Sequence, residues 1–482
     1  MRDLRRQALE SKKTVSRKAQ SREASRATSR TTSAQNSRPA SRNASRHPSD
    51  DEDAESDSTA WSTPSLDELF PIANEEESSS ETLETDLAEV IKDYNDRKRS
   101  SILSREQALT SYVRILTSHY IEDGITSVDE LVSSFIKSVK NESSEKETVL
   151  ALKAVGLTAL TLLDETIYER MAPVLRRTIT DSASLHIKAA AIHCLGACTV
   201  FGGAGDEEIL DQMTFLLEIV SSDGHFVNAA DDAGTVTAAL EEWGFLATEV
   251  QDVEHESEDA VETFADQLES SDPSVQIAAG ENIALLYEKS YTPQEEGEVI
   301  EEELEENDSS DEGSSSVSDD EDYGGPRLIK RYNAYHNTPR IMNQVDSLAH
   351  ISGRHINKKS KRSLHSNFAS ILTTINNPRR GPQYSKAIDN ETSRQYGSRK
   401  TVKIHQDSFL QLDRWWKWLR LAALRRLLQW GFVNHYFEGD RAVLDCLPVM
   451  ARSMGGGGSG SSSAKAKAGG KKGGRRKGME LF

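Results

Sequence analysis

LESSDPSVQIAAGENIALLYE, residues 268–288, decides the fold. Asp272-Pro273 is a helix start: the aspartate can accept from a free backbone N–H of the first turn, and proline's fixed φ suits a position whose N–H would be unpaired anyway. Beyond it Val275, Ile277, Ala278, Ala279, Ile283, Ala284 and Leu285 supply one packed, Ala-rich side. The same pattern recurs upstream, with apolar residues at three- and four-residue steps in 104–120, 128–139, 147–163, 171–180, 184–201, 207–221, 229–246 and 258–268. Short breaks separate them, such as Gly202-Gly203-Ala204-Gly205, and no alternating β-branched strand intervenes. Successive short helices with Ala-rich inner faces predict an all-α chain, an armadillo- or HEAT-like α-solenoid in which each helix pair buries its face against its neighbours.

Outside that array the composition changes. A hydrophobic fraction of 36% over 482 residues is too low for a chain folded throughout. Residues 1–82 read as a disordered arm, first Ser/Arg-rich, with Ser21-Arg22, Ser25-Arg26, Ser29-Arg30, Ser41-Arg42 and Ser45-Arg46, then acidic. Residues 83–292 form the helical repeat domain, 293–325 an acidic linker and 326–450 a basic helical region. Residues 451–482 form a Gly/Lys-rich flexible tail whose opening Gly455-Gly456-Gly457-Gly458-Ser459 reads equally as an appended linker and as native sequence.

The formal net charge of −20 conceals this division. Residues 88–293 carry 37 acidic and 15 basic residues, and 294–322 carry 15 carboxylates with no Lys or Arg. Residues 326–435 then carry 21 basic against 5 acidic, a net +16 that calls for a phosphate-rich partner. Within that region Lys358, Lys359, Lys361 and Arg362 lead into a helix over 366–375. Arg379 and Arg380 lie in a Pro-bounded turn, Arg399, Lys400 and Lys403 flank an extended stretch, and Arg414, Lys417 and Arg425 project from a long helix over 409–430. On that helix Leu412, Trp416, Leu419, Ala423 and Leu427 share the opposite, packed side, with Trp416 read mainly as core. These twelve cations are the candidate RNA contacts: Lys and Arg neutralise phosphates, and aromatic rings stack on unpaired bases.

Catalytic chemistry finds no foothold. Gly202–Gly205 lacks the Lys-Ser/Thr of a phosphate-binding loop and follows a helix, and neither a nucleophile elbow nor a metalloprotease motif is present. His193, Cys194 and Cys198 approach metal-ligand spacing without a fourth ligand nearby, and read as small residues on a helix face. Three cysteines point to a reducing compartment. No apolar run is long enough for a membrane helix. The expectation is a non-enzyme with no cofactor, no small-molecule substrate and no membrane partner, residing in the cytoplasm with nuclear entry left open.

The stretch 268–288 resembles the signature helix of the interferon-related developmental regulators. Residues 358–375, with Lys359, Lys361, Arg362, Ser366 and Phe368, and 402–437, with Trp415 and Trp416, resemble that family's later blocks, and the Ser-Arg arm and the insertion at 377–382 suggest a fungal-type member. The resemblance spans roughly 83–448 and departs from the family at the C-terminus. It implies an armadillo-like fold and either of two roles. One is a ribosome-associated translation repressor or dormancy factor that contacts rRNA in the tRNA or mRNA path of inactive ribosomes, with further protein partners on the solenoid surface. The other is a nuclear transcriptional co-regulator scaffold that recruits deacetylase or transcription-factor complexes through the concave solenoid face.

Overall fold

Serine, aspartate or asparagine stands before many of the helices and accepts a backbone hydrogen bond from the first turn, as at Ser101, Ser144, Ser184, Asp232, Asp272 and Asn337. The computed structural model describes residues 80–97, 100–294, 328–351, 358–388, 395–398, 400–405, 408–447 and 452–453. All belong to one unit, Ala60–Phe482; a second, Met1–Thr59, contains no described residue. Ten helices run in succession: α1 (Ser80–Asn95), α2 (Ile102–Ser118), α3 (Val128–Asn141), α4 (Glu145–Leu162), α5 (Thr166–Asp181), α6 (Leu185–Phe201), α7 (Asp206–Ser221), α8 (Ala233–Glu249), α9 (Glu254–Gln267) and α10 (Pro273–Lys289). A short strand β1 (Tyr291–Pro293) pairs with β2 (Leu328–Lys330), and α11 (Thr338–Ala349) and α12 (Lys358–Asn376) follow.

Helices pack in pairs, α1 on α2 through α11 on α12, and the even members stack as a continuous layer, α2 on α4, α4 on α6, α6 on α8, α8 on α10 and α10 on α12. This is the α-solenoid anticipated from the helical spacing. The even helices α4, α6, α8 and α10 are buried on almost every side, which a helix needs neighbours on both faces to achieve. The odd layer covers one face. The other is covered from within the chain: after the hairpins β3 (Tyr384–Ile388) with β4 (Gln395–Ser398) and β5 (Thr401–His405) with β6 (Ser408–Gln411), helix α13 (Trp415–Leu428) lies against α2, α4, α8 and α10. The short helices α14 (Phe432–Glu438) and α15 (Arg441–Cys446) then meet α2 and α4, and β7 (Arg452–Ser453) joins β6. Close approach of α13 requires glycine: a Cβ on Gly156 of α4 would meet Leu427 Cδ2 at 3.0 Å, and one on Gly244 of α8 would meet Leu419 Cδ1 at 3.3 Å as well as the Asn282 side chain.

Several boundaries differ from the reading of the sequence, each for a visible reason. Helix α5 starts at Thr166 and carries Pro173 inside it, because Asp164 accepts from the Thr166 N–H and Ile167 and Tyr168 are buried. Helix α8 starts four residues later than its apolar pattern, since Gly224, Asn228 and Asp231 take left-handed conformations before Asp232 caps it. Helix α12 begins at Lys358 rather than 366, and α11 is an unanticipated helix despite its start signal Asn337-Thr338-Pro339. The long helix expected over 409–430 is divided: its first residues pair as β6, Arg414 stays extended, and the helix proper runs from Trp415 to a strained Gln429 (φ 51°, ψ −124°). The core tryptophan is consequently Trp415, 2% exposed, and Trp416 is half-buried.

Candidate nucleic-acid interface

The basic residues of the C-terminal region divide by what the array offers them. Helix α13 starts where it does because a carboxylate waits for it: Glu288 of α10 accepts from the Trp415 N–H at 2.9 Å and the Trp416 N–H at 3.2 Å. An anion at a helix N-terminus offsets the unpaired N–H groups and the helix dipole. Burial pushes the Glu288 carboxyl up to about 7 against the pull of Arg414 and those two N–H groups. Trp415 also donates its indole N–H to Thr374 Oγ1 at 2.7 Å, tying α13 to α12.

Further along the helix, Arg420 donates to Thr248 Oγ1 (2.9 Å), Thr248 O (3.0 Å) and Cys446 O (3.0 Å), and pairs with Glu249 at 2.9 Å. Arg426 pairs with Glu242 at 2.8 Å and Glu241 at 3.6 Å, and its backbone carbonyl accepts from Lys153 Nζ. His193 Nδ1 lies 2.8 Å from Glu242. The adjacent carboxylates are split by these partners. Burial would raise both; Arg426 and His193 outweigh it at Glu242 and hold that group low, whereas burial wins at Glu241 and, pushing it to about 8, at neighbouring Glu281. Beyond the helix, His435 donates from Nε2 to Leu116 O and faces Asp440 through Nδ1, and Glu438 accepts from the Tyr120 N–H. Arg420 and Arg426 are not among the candidate RNA contacts, yet each is deeply engaged with the array's carboxylates.

The candidate residues occupy three places. Lys358 and Lys359 begin α12, with side chains outside the described residues; Lys361 is half-buried and Arg362 exposed one turn on. Near the far end of that helix, Arg379 donates to Leu328 O at 3.3 Å, Arg380 sits 5.1 Å from the Tyr384 ring centroid, and Arg414 reaches Pro378 O at 3.5 Å. Lys400 stacks on Trp418, and Lys417 on Trp416 while bonding Asp413. Arg399 and the Lys403 side chain fall outside the described residues, and Arg425 is half-buried on α13. Arg379, Arg380 and Arg414 are thus gathered at one junction, separated along α12 from the Lys358–Arg362 cluster.

Cys194 and Cys198 are buried with their sulfurs 4.0 Å apart, and His193 is engaged with Glu242. Among the described residues no group of three or more His, Cys, Asp or Glu side chains is arranged to hold a metal ion, and no helix is long and apolar enough to cross a membrane.

Comparison with known proteins converges on one family. A family model described as interferon-related developmental regulator matches residues 43–376. An uncharacterized protein of Schizosaccharomyces pombe is 28% identical over 394 residues, covering 80% of each chain. Interferon-related developmental regulator 1 of Sus scrofa is 26% identical over 256 residues, covering 49% of this chain and 56% of its own. The matched span takes in the capped helix Pro273–Lys289 and every paired helix through α12, so the chain belongs to the interferon-related developmental regulator family.

Proposed function

We infer that this protein is a ribosome-associated regulator of translation that contacts rRNA through the outer end of its helical array. One observation carries the reading. The array's own carboxylates draw Arg420 and Arg426 of α13 inward, whereas the last helix pair and the two hairpins after it, residues 328–411, hold 15 basic and 4 acidic residues in sequence, of which Arg340 pairs with Asp266 of the array. Exposed Lys330, Arg362 and Lys386 and half-buried Lys361 lie on that end, and no carboxylate pairs with them among the described residues. Such a surface suits the phosphates of folded RNA. The alternative role as a nuclear co-regulator scaffold needs an open face of the array, and the even-helix face is already occupied by α13.

Sucrose-gradient sedimentation of the full chain with ribosomes at rising salt tests the reading. Co-sedimentation at low salt that fades as salt rises is expected. A protein that stays at the top of the gradient at low salt ends the proposal, and co-purification with histone-modifying subunits after nuclease treatment would favour the alternative. Charge reversal at Lys358, Lys359, Lys361 and Arg362 should flatten the slope of log affinity against log salt by roughly 0.7 for each phosphate that is no longer neutralised.

A further inference from the structure

We propose that the acidic segment 294–327 docks on the basic residues that follow it, Lys330, Lys361, Arg362 and Lys386, competing there with RNA phosphate. The competition rests on the RNA reading above; the docking does not.

The first argument is where the segment leaves and re-enters the fold. In sequence it reads as a linker between an acidic domain and a basic one, open both to a plain tether and to folding back on the basic region in competition with RNA. In the structure β1 and β2 are antiparallel neighbours, with Tyr291 opposite Lys330 and Pro293 opposite Leu328. Arg331 closes the pair, its N–H donating to Ser290 O at 2.8 Å and its guanidinium reaching Pro293 O at 3.4 Å. The two ends of the segment are therefore about one strand spacing apart, roughly 5 Å. It is an excursion that departs from and returns to a single point.

That point lies beside the first of these cations. Lys330 is exposed on β2 itself, and Arg379 holds Leu328 O, which brings the turn after α12 against the same strand. From there α12 leads back to Arg362 and Lys361, about 20 Å away at 1.5 Å per residue. A closed segment of this length reaches about 55 Å from its base when extended, so every one of these cations is within range.

The second argument is charge. Residues 294–322 hold 15 carboxylates and no Lys or Arg, whereas 328–388 hold 11 basic residues and one acidic residue. A polyanion pinned beside a cationic surface acts at an effective concentration in the millimolar range. Carboxylates bind ammonium and guanidinium groups through the same charge-assisted hydrogen bonds as phosphates, so the two compete, and salt screens both.

Zero-length carbodiimide coupling of the full chain, read by mass spectrometry, decides the docking. Links from carboxylates of 295–322 to Lys330, Lys361 or Lys386 at low salt, lost at high salt, are expected; their absence at low salt overturns the proposal whatever RNA does. The competition is read with a labelled single-stranded oligouridine and a full chain in which 294–327 is replaced by Asn-Gly, a two-residue turn suited to joining Pro293 to Leu328. The shortened chain should bind about tenfold more tightly at low salt, with the advantage falling below about twofold at high salt. Equal affinities at low salt overturn the competition, and RNA bound by neither chain counts against the RNA reading and leaves the cross-links to judge the docking.

Discussion

Residues 358–380 and 414–426 hold six and five basic residues and meet opposite fates. The first stretch runs along the end of the array, with Arg362 in solvent. The second is drawn across the even helices, where Glu241, Glu242, Glu249 and Glu288 take up Arg426, Arg420 and the first N–H groups of α13. Net charge along a sequence shows that a phosphate-rich partner is plausible but not which cations remain for it. That depends on acids far away in the chain, and here some of them belong to helices that are otherwise apolar all round.

The largest effect should come from Arg426→Met. It removes the cation that compensates Glu242 and Glu241, and an uncompensated buried charge costs about 3–5 kcal/mol. Urea unfolding of the full chain measures it; a loss below about 1 kcal/mol would show that α13 is not seated on the array. Next comes Trp415→Ala, at about 3 kcal/mol for a fully packed indole, whereas Trp430→Ala, at a residue 51% exposed, should stay within about 0.5 kcal/mol. Equal losses for the two would erase the distinction between the inward and outward sides of this region.

Acid groups buried under α13 sharpen the comparison through pH. Glu281 is pushed up to about 8 and Glu288 to about 7, from an ordinary 4.5. Between those values the folded state binds more protons than the unfolded chain, so stability falls as pH rises from about 5 to 8. Lys289, lowered to about 8, acts with the opposite sign only above that pH. Melting temperature should therefore drop across pH 5 to 8, and Glu281→Gln should flatten the drop and raise the melting point at pH 8 by a few degrees, about 2–4 °C per kcal/mol. A melting curve indifferent to pH in both proteins would contradict the burial of these acids. The smallest effect belongs to Arg362→Glu, within about 0.5 kcal/mol in stability.

The array was legible because caps and apolar spacing are local: Asp272-Pro273 and the Ala-rich side of 275–285 announce α10 without reference to anything else. The covering of its second face was not. Helix α13 is held by residues some 130 to 270 positions upstream, and a helical wheel that assigns it one packed side chooses Trp416 over Trp415. A signal did exist, since Glu241-Glu242 interrupts a run, residues 233–248, that otherwise holds no charged residue, and buried acids require cations. Of the candidate RNA contacts, Arg414 and Lys417 have fixed intramolecular partners. The Asp413–Lys417 pair is readable as an i,i+4 spacing, whereas nothing in the sequence placed Arg414 against Pro378, 36 residues away.

The return of α13 and α14 to the earliest helices bears on how this molecule comes apart and comes together. Stacked repeats ordinarily unravel one neighbour at a time. Here one helix bridges α2, α4, α8 and α10, and His435 and Glu438 fasten the C-terminal helices to Leu116 and Tyr120, contacts that should couple the unfolding of distant repeats. Synthesis imposes the opposite schedule. Trp415 leaves the ribosome about 125 residues after Lys289, an interval of roughly 6–25 s at ordinary elongation rates, during which Glu241, Glu242 and Glu288 face water on an unfinished surface. A chain stopped anywhere in that interval carries nearly all of the array and none of the cations that complete it.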